Sequence, residues 1–527
     1  MEKESRLPSL ALTLVFAAML SVLAAYHPWI RNSPDQRGVI KWDVISYYAY
    51  LPATFIYGDL SLKFLDKPPE GFVNDGKFWY TRAENGNRLI QTSMGLSILY
   101  SPFFFTAHLL APLTGQPADG FSSIYQLFLT LSSLFYVMLG LVFLRRILLK
   151  WFSPAITALT LLLVGLGTNL FYYTVHEGPM SHAYNFALIT LFLWLTIRWY
   201  EHSSWKYSMM LGLVYGLIVL IRPSNVIAGI LFMFWGVSSW RGLRERLLYL
   251  MGRFRFLLAV ACCFLLVWIP QLIYWKLITG HFLYNSYGPS GSSFYPFQPH
   301  IPEVLFSYRK GWYVYTPLMF LATLSLLFSG KWLKEGILAI LLYLMVHIYL
   351  ISSWWSWWNG GSFGHRSFVD IYGVLALPLA VLLKFLGKQR KLILLGGMLV
   401  LTFLLFLNQF QTYQYTKQVI HYTGMTREAY WLNFMRFKPS GAYWHMLSIP
   451  DSQLARLGIY YDYYTGNKDA ELKAMDEDQG KSLVREELLG DRKLMRQIDR
   501  HAKRSEQSRE KVLNVVVERI YDYRISH

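Results

Sequence analysis

Charge and cysteine are scarce in this chain of 527 residues. Asp, Glu, Lys and Arg make up 16% of it, where an ordinary soluble domain carries about 25%. So few charges cannot clothe a chain of this length in a water-facing surface. The two cysteines, Cys262 and Cys263, are adjacent within one apolar stretch, which excludes a disulfide framework and a thiolate cage of known spacing. Neither redox chemistry nor structural zinc is expected. No glycine-rich nucleotide-phosphate loop is present to drive transport. Acids are the scarcer sign, 32 against 50 Lys and Arg, for a formal charge of +18. From Asp451 onward 15 of each sign cancel, so the whole excess lies in the first 450 residues. There it forms short clusters between apolar blocks instead of the continuous basic face that nucleic acid requires. Nucleic acid is excluded as a partner.

Apolar residues are what the chain has in plenty, at 54% hydrophobic and 17% aromatic. They arrive in blocks such as Leu10 to Tyr26, Phe254 to Trp275 and Leu392 to Leu407, each near the ~20 residues that cross a hydrocarbon core as helix. Basic clusters at Arg145, Arg146 and Lys150, at Arg241 to Arg255, and at Lys384 to Lys391 separate the blocks and mark cytoplasmic loops. Met94 to Leu113 is expected to be interfacial or re-entrant, because counting it as a span would put the Arg145 cluster outside. The other spans read as Phe121 to Leu144, Pro154 to Tyr173, Ala183 to Trp199, Tyr207 to Ile221, Val226 to Trp240, Phe254 to Ile278, Val314 to Phe328, Gly336 to Ile351, Phe368 to Leu386 and Leu392 to Phe410. With Leu10 to Tyr26 the expectation is an all-α polytopic membrane protein of about eleven transmembrane helices. A signal peptide cleaved near Ala24 or Ala25 is the alternative reading of the first block. Residues 1–410 then form a membrane domain whose first outer loop, 28–120, carries interfacial helices. Residues 411–527 form a small helix-rich soluble extension, with Glu and Lys or Arg at helical spacing between Asp469 and Arg519. An odd number of spans places that extension outside, on the periplasmic side of a bacterial inner membrane.

Polar groups at membrane depth cost about 2.5–3.5 kcal/mol each on insertion scales, so those kept near span ends are candidate site residues. The first cluster is Lys41-Trp42-Asp43-Val44-Ile45-Ser46-Tyr47-Tyr48, where a carboxylate on an interfacial helix can act as a base toward a substrate arriving in the membrane plane. An aromatic belt with one solvated acid is the plain alternative. The second, His176-Glu177-Gly178-Pro179-Met180-Ser181-His182, matches no zinc spacing and reads either as a polar turn or as a hydrogen-bonding site toward substrate. At Ile221-Arg222-Pro223 a guanidinium at a helix end suits a phosphate through paired donors, or merely snorkels. Arg309 and Lys310 in one stretch, and Trp354 to Arg366 with His365 in another, are basic and aromatic where the positive-inside trend disfavours cations. Such loops suit an anionic ligand and a sugar ring or polyprenyl chain, although an aromatic belt has the same composition.

At these residues the chain resembles the GT-C superfamily of integral-membrane glycosyltransferases, which includes protein O-mannosyltransferases and lipid A aminoarabinose transferases. The likeness spans roughly Ser9 to Gln409 and rests on Trp42-Asp43-Val44-Ile45-Ser46-Tyr47-Tyr48, the interfacial helix that follows, and the Gly216 to Arg222-Pro223 helix end. Ser362-Phe363-Gly364-His365-Arg366-Ser367-Phe368-Val369-Asp370 is similar to a stretch in an uncharacterised bacterial subgroup. The resemblance implies a catalytic carboxylate at Asp43 and a polyprenyl-phosphate-linked monosaccharide as donor. Many O-mannosyltransferases have Asp-Glu at this point, whereas Val44 follows here, so a second acid would come from Asp35 or Glu177. No Asp-x-Asp pattern stands in the loop, and a divalent metal is not indicated.

The sequence-based expectation is an inverting glycosyltransferase at the periplasmic face. Asp43 is the general base, and Arg222, with Arg309, Lys310 or Arg366, holds the donor phosphate. Tyr47, Tyr48, Glu177, His182 and His365 orient sugar or acceptor. The acceptor is a protein, a lipid or a glycan, and no cofactor or metal is assigned. The rivals are a lipid or polysaccharide transporter, whose polar residues would belong at mid-membrane, and an assembly partner docking through its tail.

Overall fold

The computed structural model describes residues 6–26, 38–70, 72, 74, 76–466 and 470–526. The chain is an all-α multi-pass membrane protein with, among the described residues, two minor two-stranded ladders. Among the described residues six helices are long and apolar enough to cross a membrane: Leu7–Ala25, Gly95–Leu113, Ser123–Leu148, Phe254–Thr279, Arg366–Leu386 and Lys391–Thr416. Phe254–Thr279 is 26 residues long, about 39 Å at 1.5 Å per residue. Leu258, Leu265, Leu266, Ile269, Ile273 and Leu277 on it are exposed, the wide apolar face expected of a helix whose solvent is lipid.

Six candidate spans among the described residues stand against the eleven expected from hydropathy. Part of the difference lies in backbone breaks that composition averages away, and part in length, since Trp205–Ile221 and Ile337–Ser352 are unbroken apolar helices of only 17 and 16 residues. Pro154 to Tyr173 divides at Gly167-Thr168-Asn169 into Pro154–Leu166 and Leu170–Val175. Val226 to Trp240 becomes a 3-10 turn, Pro223–Ala228, and a short helix, Gly229–Phe234. Val314 to Phe328 divides at Thr316-Pro317, where proline opens Pro317–Ser325, since proline cannot donate the helix hydrogen bond. Ser181–Glu201 is 21 residues long, but it carries buried Ser181, His182, Asn185, Thr190 and Thr196, so it is less apolar than the six. Gly95–Leu113, expected at the interface, has the length and composition of a span.

Two compact units divide the chain. The first comprises 1–290, 315–348 and 365–412. In it Trp205–Ile221 packs against Phe254–Thr279 through Gly212 and Gly216, where an added Cβ would meet the backbone at Val260 and Phe264. This glycine-x-x-x-glycine stripe lets two backbones approach where lipid offers no hydrophobic drive. The end of the same helix is pinned by the chain at 93–95. Ser93 Oγ donates to the Leu220 carbonyl, and a Cβ on Gly95 would lie 2.7 Å from the Leu220 carbonyl carbon. Gln271 Oε1 accepts from the Met94 N–H at 2.8 Å, and the Tyr274 hydroxyl accepts from the Ile90 N–H at 2.9 Å. The long first loop is thereby tied to two helix ends.

The second unit gathers 291–314, 349–364 and 413–527. Its helices Glu477–Gly490, Arg492–Ser505 and Arg509–Ser526 enclose a core of Val484, Leu488, Ile498, Val516 and Ile520. Strand Ser448–Pro450 pairs antiparallel with Asp462–Tyr464. Asp451, after the first strand, caps Ser452–Arg456 and accepts from the Tyr463 hydroxyl at 2.7 Å and Arg519 Nε at 3.0 Å.

Candidate active site

Asp43 opens a six-residue helix, Asp43–Tyr48. Tyr47 lies one turn on and shares its face, since i and i+4 are neighbours on a helix. Trp42 enters that helix with φ +54 and ψ −134, a setting that costs a side-chain-bearing residue of order 1–3 kcal/mol. The indole is 66% exposed. Its backbone aims the first turn, and with it the carboxylate.

Arg366 Nη2 donates to Asp43 Oδ2 at 3.0 Å, with the two side chains 17% and 45% exposed. Tyr47, Tyr173 and Glu177 lie within Coulombic reach of the same guanidinium. Glu177 accepts from the Tyr172 hydroxyl at 3.1 Å. The Tyr47 phenol hydrogen-bonds with the Ser181 side chain; burial, then the Asp43 carboxylate, push its pKa up, and Arg222 and Arg366 oppose them. It stays a protonated donor.

The turn that carries Arg366, Arg366–Ile371, also carries Asp370, buried at 1% exposure. His182 Nδ1–H donates to its Oδ1 at 2.8 Å, and Asn185 Nδ2 donates to its Oδ2 at 2.9 Å. Asn225 Nδ2 lies at 3.5 Å and Arg222 Nη1 at 3.7 Å from that second oxygen. Arg222 caps the end of Trp205–Ile221, and Ser181 and His182 open Ser181–Glu201. The polar residues therefore stand where helices begin and end. His365 is fully buried, its ring edge-on to Phe368 at 5.1 Å between centroids.

Asp43, Glu177 and Asp370 face two guanidiniums in this cluster, and each cation keeps capacity beyond its pair. Arg366 Nε is buried without a hydrogen-bond partner. Arg222 is a quarter exposed, and 3.7 Å exceeds a hydrogen bond. An anion would find donors from both, next to a carboxylate that is nearly half exposed. Among the described residues no group of three or more His, Cys, Asp and Glu is placed to hold a metal ion.

The remaining expected residues are placed elsewhere. Tyr48 is buried, donating to the Gly120 carbonyl at 2.5 Å, with its ring edge-on to Phe104 and Phe121. Arg309 and Lys310 belong to the second unit. Arg309 bonds Asp462 at 3.0 Å and the Ser448 carbonyl at 2.8 Å. Lys310 Nζ donates to the Ser362 and Tyr422 carbonyls. Asp35 lies outside the described residues.

Four residues of the cluster had no assigned role from sequence: Asp370, Asn185, Asn225 and Tyr287. Asp370 was signalled by an acid at the head of an apolar run, a costly placement. Asn185 stands three residues after His182, and Asn225 three after Arg222. Tyr287 carried no signal; burial raises its phenol pKa, with Tyr47 and Asp43 adding to the rise.

No protein-family model matches the chain, and no curated protein does. Among solved structures it is similar to the archaeal oligosaccharyltransferase AglB from Archaeoglobus fulgidus, in complex with an inhibitory peptide and a dolichol-phosphate. The TM-score is 0.44 at 12% identity, covering 79% of this chain and 56% of that one. It is similar also to the apo form of the Archaeoglobus fulgidus oligosaccharyltransferase, with TM-score 0.44, 12% identity, and 84% and 57% covered. The chain spans just over half the length of each.

Proposed function

We propose that this protein is a GT-C-type membrane glycosyltransferase that moves a monosaccharide from a polyprenyl phosphate to an acceptor hydroxyl. The observation that carries the reading is the half-exposed Asp43 carboxylate beside spare guanidinium donors on Arg366 and Arg222. In the transfer, the acceptor oxygen forms its bond to the anomeric carbon as the bond to the phosphate oxygen breaks. Asp43 takes the hydroxyl proton, and the polyprenyl phosphate leaves with the electron pair. Arg222 and Arg366 hold the phosphate and stabilise the charge that develops on it. Tyr47, protonated, donates to sugar or acceptor, and Glu177 and His182 line the same region. A single displacement inverts the anomeric centre. The membrane supplies the lipid donor laterally, and the periplasmic face of a bacterial inner membrane is the setting proposed for the reaction.

The buried Asp370–His182 pair is the one observation favouring a transport path, since ionisable groups inside a bundle often line one. Both Asp370 oxygens are engaged by protein donors, which favours a framework that positions Arg222.

The test is release of free polyprenyl phosphate from a panel of polyprenyl-phosphate sugars by the purified protein, with Asp43→Asn alongside. One donor should turn over, with inversion, and D43N should reduce the rate by about 10²–10⁴, the usual contribution of a general base. Retention of configuration, or an unimpaired variant, would remove the assignment.

A further inference from the structure

The second unit contains a cavity of about 160 Å³ that none of the chemistry above uses. Trp357, Tyr460, His300, Glu303, Asp462 and Lys493 are among its walls. The His300 ring stacks on Trp357 at 5.7 Å and 20° and meets Tyr460 edge-on at 4.2 Å, which fixes its plane. Its Nδ1 faces Glu303 Oε2 at 3.9 Å. Its Nε2 is buried with no hydrogen-bond partner, and so is the Tyr460 hydroxyl. Buried polar atoms are rarely left unpaired, and each one in a native structure calls for an explanation. The two residues that carry them both line this cavity.

The chemistry of the walls discriminates among occupants. Both signs of charge are present: Glu303, Asp451 and Asp462 against Lys493 and Arg309, with Arg309 already engaged by Asp462 and Asp451 by Tyr463 and Arg519. Three carboxylates disfavour a phosphate or another acid, and two cations disfavour an ammonium. A hydrocarbon would strand the unpaired imidazole and phenol. A neutral polyol meets every requirement, because each hydroxyl both donates and accepts. Carboxylate, imidazole and phenol can then all be satisfied by one ring, beside aromatic side chains that pack on its apolar faces. Burial above all, with Lys493 adding and Glu303 opposing, lowers the His300 pKa to about 4, so Nε2 at neutral pH presents a lone pair or a single N–H, not a second positive charge.

We infer that the second unit carries a binding site for one neutral sugar residue, with His300 Nε2, the Tyr460 hydroxyl and the Glu303 carboxylate as its hydrogen-bonding groups. The bound residue belongs to a glycan acceptor, an identification that rests on the transfer reading; the site itself does not.

Binding is measured on the full-length protein in detergent by saturation-transfer NMR and calorimetry. The panel is the methyl α- and β-glycosides of glucose, galactose, mannose and N-acetylglucosamine, with glucuronic acid and glycine as charged comparators. At least one neutral glycoside should bind, and Glu303→Gln and Tyr460→Phe should each weaken it about tenfold, the effect of one lost hydrogen bond of ~1.4 kcal/mol. Tyr460→Phe removes one oxygen and no packing, so a melting temperature unchanged from the parent accompanies its loss of binding. Asp43→Asn should bind as the parent does, which separates this site from the transfer reading. No neutral glycoside binding, tighter binding of the charged comparators, or binding indifferent to both variants would overturn the inference.

Discussion

Arg366 reaches across 323 positions of sequence to bond the carboxylate of Asp43, Nη2 to Oδ2 at 3.0 Å, while its own Nε remains without a partner. The pair leaves the acid nearly half exposed. A guanidinium so placed holds Asp43 through one nitrogen and keeps further donors on its planar fork, which the single nitrogen of an ammonium does not provide.

Arg366→Lys should therefore lower donor turnover by about ten- to a hundredfold, and Arg366→Ala by more, since hydrogen bonds to charged groups are worth ~1.5–3 kcal/mol. The partly exposed pair itself contributes less than about 1 kcal/mol to stability. Thermal melts of both variants should stay near that of the parent while kcat falls. A parallel loss of melting temperature and activity would instead make Arg366 a structural residue.

Asp370 predicts the opposite balance. Its carboxylate is buried and engaged by His182 and Asn185, with Arg222 near. Asp370→Ala should destabilise the first unit by about 3–5 kcal/mol, the usual result of removing one partner of a buried charge pair. Asp370→Asn keeps the volume and one acceptor oxygen, so it should be milder in a melt yet release Arg222 and raise the KM for donor. Equal effects of the two substitutions would count against an orienting role for the carboxylate.

The membrane character was legible because composition alone demands it: so little charge and so much apolar residue have no soluble solution. Asp43 and Tyr47 were legible as neighbours because a four-residue spacing on a helix places them together. Arg222 was legible because Pro223 marks a helix end. Span number was not, since a hydropathy average does not see Gly167-Thr168-Asn169 or Thr316-Pro317 breaking the backbone hydrogen-bond ladder. The second unit draws in 291–314 and 349–364 from between membrane helices, an association with no periodic trace in the chain. Arg309 and Lys310 looked like cations awaiting an anion; carbonyls and a carboxylate of the fold already hold them.

Lys310 follows from that last point. Its ammonium is 1% exposed and donates to the carbonyls of Ser362 and Tyr422. Lys310→Met keeps the length and removes the donors; the Tyr422 carbonyl keeps the Ser362 N–H at 3.2 Å, and the Ser362 carbonyl loses its ammonium partner at about 1–3 kcal/mol. Hydrogen exchange at 413–466 should quicken at least tenfold, and the KM for polyprenyl-phosphate donor should hold. A raised KM with unchanged exchange would return Lys310 to phosphate binding.

His421 makes the second unit sensitive to acid. Its Nδ1 accepts the Gly424 N–H at 2.8 Å and the Thr423 N–H at 3.2 Å, so the folded ring carries no proton on that nitrogen. Burial, then the charge of Lys310, lowers its pKa to about 4. An unfolded chain titrates near 6.5 and binds the proton first, so between about 6.5 and 4 the unfolded state holds more protons. Stability is then full above ~6.5, declines as pH falls toward 4, and declines no further from this group below that. The decline should amount to about 2 kcal/mol, allowing for partial solvent contact. Denaturant midpoints of second-unit exchange at pH 7.5 and 4.5 measure it. His421→Gln keeps an acceptor for the turn and removes the titration, so its midpoints should differ less between the two pH values than those of the parent. An undiminished acid response in that variant would assign the sensitivity to another group.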